Sequence, residues 1–215
     1  MPIPAEWTFQ RADIAAHFDQ HVREQLPWSD LVSGGAAHLA RHYLPDRGLL
    51  YDLGCSTGNV AHALAATIPA RNVDYVGVDN SQEMVDAWTG PGVAYVADIR
   101  DYDFRAYDVA VAFLVLMFLP PIDRAALLTR LLALRRPGGA LIIVDKVEAP
   151  DGYLGTVLHR LTIAGKVATG TPAAAIIEKE LSLAGVQRPL AAAEVPDGAR
   201  MWFRFGEFAG WVITD

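Results

Sequence analysis

Cysteine is almost absent from this chain. Cys55 is the single one in 215 residues, so no internal disulfide can form, and the composition suits a reducing compartment. Positive charge is also in short supply. Eighteen Lys and Arg stand against 25 Asp and Glu, a formal net charge of -7, which argues against backbone-driven binding to DNA or RNA. Long hydrophobic runs are missing too: the longest, Val109 to Leu119, is far too short to span a bilayer. The opening MPIPAEWTFQ lacks the basic flank and apolar centre of a secretion signal. There is no internal repeat, low-complexity tract or charge block. The expectation is a cytoplasmic protein with a small-molecule substrate and neither a membrane nor a nucleic acid as partner. The sequence leaves the oligomeric state open, a homodimer included.

What is abundant is apolar residues, 52% of the chain, enough for one substantial core in a single domain, 1–215. Short apolar runs read as buried strands: GLLYDL, VDYVGVD, VAYVAD, YDVAVAFLVL and GALIIVD. Between them, Val60 to Ile68, Gln82 to Trp88 and Ile122 to Leu134 have helical spacing, the last stopped by Pro137-Gly138-Gly139. Strands alternating with helices predict a parallel sheet covered on both faces. The tail MWFRFGEFAGWVIT reads as two aromatic-rich strands turning at Gly206-Glu207, a hairpin on a sheet edge. The predicted fold is α/β, Rossmann-like and doubly wound, mostly parallel and ending in an antiparallel hairpin. Residues 48–146 form the core that binds the cofactor, and 191–215 supply the terminal strands. Residues 1–45, with turn signals at Pro27 and Gly34-Gly35, and residues 147–190 are helical covers for the crevice at the strand ends.

The stretch YDLGCSTGN follows a predicted strand and opens a predicted helix. Gly54 and Gly58 let the backbone turn sharply and approach a ligand, and a helix N-terminus favours negative charge. Asp79 ends the next strand, 21 residues after Gly58, where a carboxylate accepts hydrogen bonds from ribose hydroxyls, with Asn80 beside it. Asp98 ends the third strand, and with the backbone N–H of Ile99 it can read an adenine edge. Three successive strand ends bearing a glycine loop, an acid and an acid point to an adenosyl ligand. The loop is neither G-x-G-x-x-G nor a lysine-bearing phosphate loop. Its leading acid, Asp52, suits an ammonium group rather than a pyrophosphate. A cationic adenosyl compound carrying an amino acid meets these demands, namely S-adenosyl-L-methionine.

The successive segments D-x-G-x-x-x-G, VGVDNS, ADIRDYDF, YDVAVAFLVLMFLP and LRRPGGALIIVDK resemble the ordered motifs of class I S-adenosylmethionine-dependent methyltransferases over residues 48 to 146. With EWTF, DLGCS, DNSQEM, DIRD, R-x-x-LL and WFRFGEFAG added, nearly the whole chain resembles the carboxy-S-adenosylmethionine synthases, which supply a carboxylated cofactor for tRNA wobble-uridine modification. That resemblance implies cofactor contacts at Gly54, Cys55, Ser56, Asp79, Asn80, Asp98 and Ile99. The family's asparagine after the fourth strand falls at Phe113, its P-G-Y-S tyrosine near Trp28, and the arginine that meets its extra carboxylate at Glu180. The activity expected is transfer of a methyl group to a small-molecule acceptor. The alternatives are carboxyl transfer from prephenate, needing a cation from Arg160, Lys166 or Lys179, and a non-catalytic adenosyl-binding module.

Other residues have plainer readings beside functional ones. Cys55 reads as a packed residue rather than a reactive thiol, and Ser56 does not sit in a nucleophile-elbow frame. His17 and His21, and His38 and His42, have i, i+4 spacing, yet solvated helix faces are expected in place of metal. No catalytic residue is identified; His21 and His159, both in covers, are the candidate bases. Trp28, Trp202 and Phe203 are candidates for the substrate pocket, Met117-Phe118-Leu119 for core, and Arg135-Arg136 for complements of a helix C-terminus.

Overall fold

Strand β1 (Leu49–Leu53) is buried at every position, as expected of a near-continuous apolar run covered on both faces. The protein is described here by a computed structural model covering residues 22–215. From β1 the chain continues through helices α2 (Asn59–Ala63) and α3 (Thr67–Ala70) to β2 (Asp74–Asp79), then α4 (Gln82–Asp86), β3 (Val93–Val96) and β4 (Tyr107–Phe113). Helix α5 (Pro121–Leu134) runs directly into β5 (Arg135–Lys146). Ahead of β1 lies α1 (Ser29–Tyr43); after β5 come α6 (Tyr153–Ala168), α7 (Ala173–Ser182), β6 (Arg200–Phe205) and β7 (Phe208–Ile213).

The seven strands lie in the order β3-β2-β1-β4-β5-β7-β6. β1 pairs parallel with both β2 and β4, and β4 with β5, while β7 runs antiparallel to β5 and β6. The expected doubly wound sheet with a terminal hairpin is therefore present. The chain order reverses between β1 and β4, and ligands of such sheets bind beside that switch point at the carboxyl strand ends. Two core clusters flank the sheet. Tyr51 and Leu53 pack with Leu127, Leu128 and Leu131 of α5 on one face; Leu50 packs with Ala36, Ala37 and Ala40 of α1 on the other. Truncating one of these leucines costs about 2–5 kcal/mol, because the cavity closes only partly.

Several local expectations differ from the structure. Gly34 and Gly35 do not break the first helix: α1 runs through them. A Cβ on Gly35 would fall 2.8 Å from the Trp202 ring, so this glycine makes room for an aromatic side chain rather than a turn. The helix expected over Val60 to Ile68 is two short ones, α2 and α3. Arg135 and Arg136 do not complement a helix terminus. α5 ends at Leu134 and both arginines are already in β5, since a residue before proline disfavours the helical region. Arg136 donates to Asp108 Oδ2 at 2.6 Å, and that same oxygen accepts from Leu49 N at 2.8 Å, joining the starts of β1, β4 and β5. Of Met117-Phe118-Leu119 only Met117 is buried; Phe118 and Leu119 face a cavity.

Candidate cofactor and acceptor site

A cavity of about 300 Å³ opens at the carboxyl ends of β1, β2 and β4, within the range of small-molecule sites. It is lined on one side by Asp52, Gly54, Cys55 and Ser56, by Asp79 and Asn80, and by Asp98 and Ile99. The structure thus brings together, around one space, residues that the sequence scatters over three strand ends.

Each has a local reason for its place. Gly54 has φ +66°, and an added Cβ would fall 2.6 Å from Val115 Cγ2, so only glycine fits there. Gly58 does not line the cavity; with φ +102° it starts α2, and a Cβ would meet the Trp88 ring at 3.2 Å. Ser56 also holds a positive φ of 49°. That turn aims its backbone N–H at Asp79 Oδ2, 2.9 Å away. Ser81 N donates to the other Asp79 oxygen at 2.9 Å. Burial pushes the Asp79 carboxyl above its usual range, and these N–H donors partly offset the rise.

Asp52 is fully buried, and its Oδ2 accepts a 2.6 Å hydrogen bond from the Tyr75 hydroxyl. Burial pushes its carboxyl up to about 7; Tyr75 opposes the shift and the nearby Asp79 charge adds to it. Cys55 is buried beneath Gly77, whose added Cβ would fall 2.7 Å from Sγ. Burial first, then the charges of Asp52 and Asp79, hold its thiol far above the ordinary range. Asp98 is held low by its hydrogen bonds with Arg100, whose Nη2 lies 2.6 Å from Oδ2.

The opposite wall is apolar: Phe113, Leu114, Val115, Phe118, Leu119 and Val186. Sequence reasoning singled out only Phe113 among them. The run LVLMFLP looks like core, and nothing in it signals that Leu114 adopts φ +57°, a conformation that strains a non-glycine residue and clusters at functional sites. Asp145, fully buried, pins this wall by accepting from Leu116 N at 2.8 Å, and burial pushes its carboxyl up to about 7.

Other candidates lie elsewhere. Trp28, Trp202 and Phe203 pack on one another, with Trp28–Phe203 centroids 5.1 Å and Trp202–Phe203 centroids 6.0 Å apart, behind Phe113 and Leu114; none lines the cavity. His159 is on α6, 3.1 Å from Glu207 Oε2. His21 and His17 fall outside the described residues, as does EWTF; Val22, next to His21 in the chain, lines the cavity. His38 and His42 face each other, Nε2 to Nε2 3.2 Å, and among the described residues no third metal-ligating side chain joins them. Glu180 Oε1 accepts from Lys166 Nζ at 2.5 Å, and its Oε2 is 3.9 Å from Lys146 Nζ.

Known proteins with similar sequences agree with this geometry. Residues 50–139 match the family model described as a methyltransferase domain. The chain is 30% identical over 216 residues to the carboxy-S-adenosyl-L-methionine synthase of Shewanella woodyi, covering 93% of this chain and 89% of that protein. The Shewanella frigidimarina synthase is 30% identical over 185 residues, covering 82% and 76%. The chain belongs to the class I S-adenosylmethionine-dependent methyltransferases, on their carboxy-S-adenosyl-L-methionine synthase branch. Solved structures share the fold. The plantazolicin methyltransferase BpumL, in complex with a monoazolic desmethylPZN analog and SAH, superimposes with a TM-score of 0.57 at 14% identity, over 94% of this chain and 89% of that one. Human N-acetylserotonin methyltransferase in complex with SAM gives 0.56 at 16% identity, over 95% of this chain and 56% of that one. S-adenosyl-L-methionine is therefore the cofactor of this methyltransferase. The lining fits it: Asp52, Asp79 and Asp98 are present, and no Lys, Arg or His is among the described lining residues. Among the described residues, no helix is long and apolar enough to cross a membrane.

Proposed function

We propose that this methyltransferase transfers the methyl group of plain S-adenosylmethionine to a small-molecule acceptor by in-line attack. One observation carries the reading: the cavity has three carboxylates and no cationic side chain among its described lining residues. Such a site attracts a ligand bearing an ammonium and a sulfonium, and disfavours one with an added carboxylate. In this assignment Asp52 and the Gly54–Gly58 loop hold the amino-acid end, Asp79 and Asn80 the ribose, and Asp98 with Ile99 the adenine. When bound, the cofactor supplies a charge-activated methyl group, which the acceptor's lone pair takes as the carbon–sulfur bond breaks and its electrons return to sulfur. The apolar wall from Phe113 to Leu119 receives the acceptor, excludes water and aligns the attack, so that proximity supplies much of the rate effect. Trp28, Trp202 and Phe203 support that wall from behind. Of the two candidate bases, His21 is the one whose chain neighbour lines the cavity; a base is needed only for an acceptor protonated at neutral pH.

A second reading, carboxyl transfer from prephenate to the cofactor, is favoured by the names of the relatives and by the three lysines near Glu180. Against it, Glu180 itself occupies the lysines nearest the position where the resemblance calls for a cation. Mass spectrometry of the adenosyl compound that co-purifies with the protein separates the two. S-adenosylmethionine or S-adenosylhomocysteine is the expected ligand; a carboxylated form, or its production on adding prephenate, overturns the first reading.

A further inference from the structure

The turn after β3 is held by more than its own backbone. Arg100 bonds Asp98 with three donors: its backbone N–H reaches Oδ1 at 2.9 Å, Nε reaches both carboxylate oxygens at 3.0 Å, and Nη2 reaches Oδ2 at 2.6 Å. The remaining nitrogen, Nη1, reaches Asp123 Oδ2 at 3.1 Å in the first turn of α5. Two turns along that helix, Arg130 Nη2 donates to the Ile99 carbonyl at 2.8 Å, and its guanidinium lies 5.1 Å from the Phe104 ring centroid. Residues 98–100 are thus tied to one face of α5 at two points seven residues apart. An isolated exposed pair would contribute little. This one is bidentate and part of a network, which gives it directional value.

We infer that Arg100 is a positioning residue for purine selectivity: it locks Asp98 as an oriented, ionised acceptor, so that the site takes a 6-amino purine and rejects a 6-oxo purine. This rests on the assignment of Asp98 and Ile99 to the adenine edge. An ionised carboxylate has only acceptors and a backbone N–H only a donor. Adenine matches both, with its exocyclic amino group donating and its ring N1 accepting. The 6-oxo purine reverses both, placing an oxygen against the carboxylate and an N–H against the N–H of Ile99. Discrimination depends on the carboxylate staying in that pose, and the Arg100 fork over both of its oxygens is what holds it there.

The test uses two probes, S-adenosylhomocysteine and its 6-oxo counterpart S-inosylhomocysteine, titrated calorimetrically into the full chain. Arg100→Met is expected to weaken the adenosyl probe about 5- to 10-fold while changing the inosyl probe little, so the ratio of affinities falls by a similar factor. Arg100→Lys, which keeps the charge without the fork, recovers part of that ratio. In an Asp98→Ala background, Arg100→Met has less than about a twofold further effect, as coupled residues require. An unchanged ratio, an equal loss of both probes, tighter adenosyl binding, or a full effect of Arg100→Met without Asp98 would overturn the inference. If Asp98→Ala alone leaves the adenosyl probe unaffected, the adenine assignment itself fails and the inference with it. Loss on Asp98→Ala with none on Arg100→Met would refute the role of Arg100 alone.

Discussion

The Tyr75 hydroxyl donates to the Asp52 carboxylate across β1 and β2 at 2.6 Å, in a space closed to solvent. Burial is the larger influence and pushes the carboxyl up to about 7; the tyrosine acts against it. A carboxylate that receives an ammonium group must be ionised, so binding draws its pKa down and releases a proton. Affinity for S-adenosylmethionine is therefore expected to rise with pH between about 6 and 8 and to level off above that. Calorimetry at pH 6.5 in buffers of different ionisation enthalpy should detect proton release. Tyr75→Phe removes the opposing hydrogen bond, so the rise should move to higher pH. A flat profile in both proteins would mean that Asp52 does not meet the charged end of the cofactor.

Gly54 links the cofactor loop to the apolar wall. Its φ of +66° disfavours any side chain, and its Cβ position falls 2.6 Å from Val115 Cγ2. Gly54→Ala is expected to cost about 1–3 kcal/mol of stability and to weaken S-adenosylhomocysteine at least about tenfold, because the loop moves relative to the wall. Thermal unfolding and calorimetry measure the two effects; native-like affinity in the variant would refute this account.

Much of this site was legible in the sequence because its chemistry sits at strand ends. Asp52, Asp79 and Asp98 each close or nearly close an apolar run, and the parallel sheet brings such ends together along one edge. The hairpin turn at Gly206-Glu207 was legible for the same local reason. The opposite wall was not. Leu114 and Val115 continue an apolar run, and they line the cavity in a structure where Leu114 N donates to the Val144 carbonyl and Leu116 N to Asp145. Tyr75 reads as an ordinary strand aromatic until β2 is set beside β1. The aromatic residues proposed for the substrate pocket show the converse: Trp202 fills the space left by Gly35, a long-range fit that no local pattern announces.

Cys55 offers a test of how closed the floor of the cavity is. Burial and two neighbouring carboxylates keep it as a neutral thiol, whereas only the thiolate attacks a disulfide reagent. The native protein is expected to show no reactive thiol toward Ellman's reagent over an hour at pH 8, and one after unfolding in guanidinium. Prompt reaction of the folded protein would mean that the loop opens in solution.

Glu180 and Lys166 decide how the helical cover holds together. Lys166 is buried, Glu180 is 30% exposed, and the two are 2.5 Å apart. Burial alone would raise the Glu180 carboxyl, but the hydrogen bond from Lys166 and the charges of Lys146 and Lys166 hold it below the usual range. The neighbouring Lys179 is pushed down to about 6, by burial first and by repulsion from Lys166 second, with Glu180 opposing. Glu180→Gln removes a carboxylate that offsets these amines, and is expected to destabilise the protein by about 2–4 kcal/mol at pH 7. The sign with pH follows from Lys179. Without Glu180 its pKa falls below about 6, so below pH 7 the folded variant binds fewer protons than the folded parent. The deficit of the variant relative to the parent should then stay level from about pH 7 to 9 and grow as pH falls from 7 toward 5. Denaturant unfolding at about pH 5.5, 7 and 9 measures it. A deficit independent of pH would show that the loss comes from packing of α7, not from uncompensated charge.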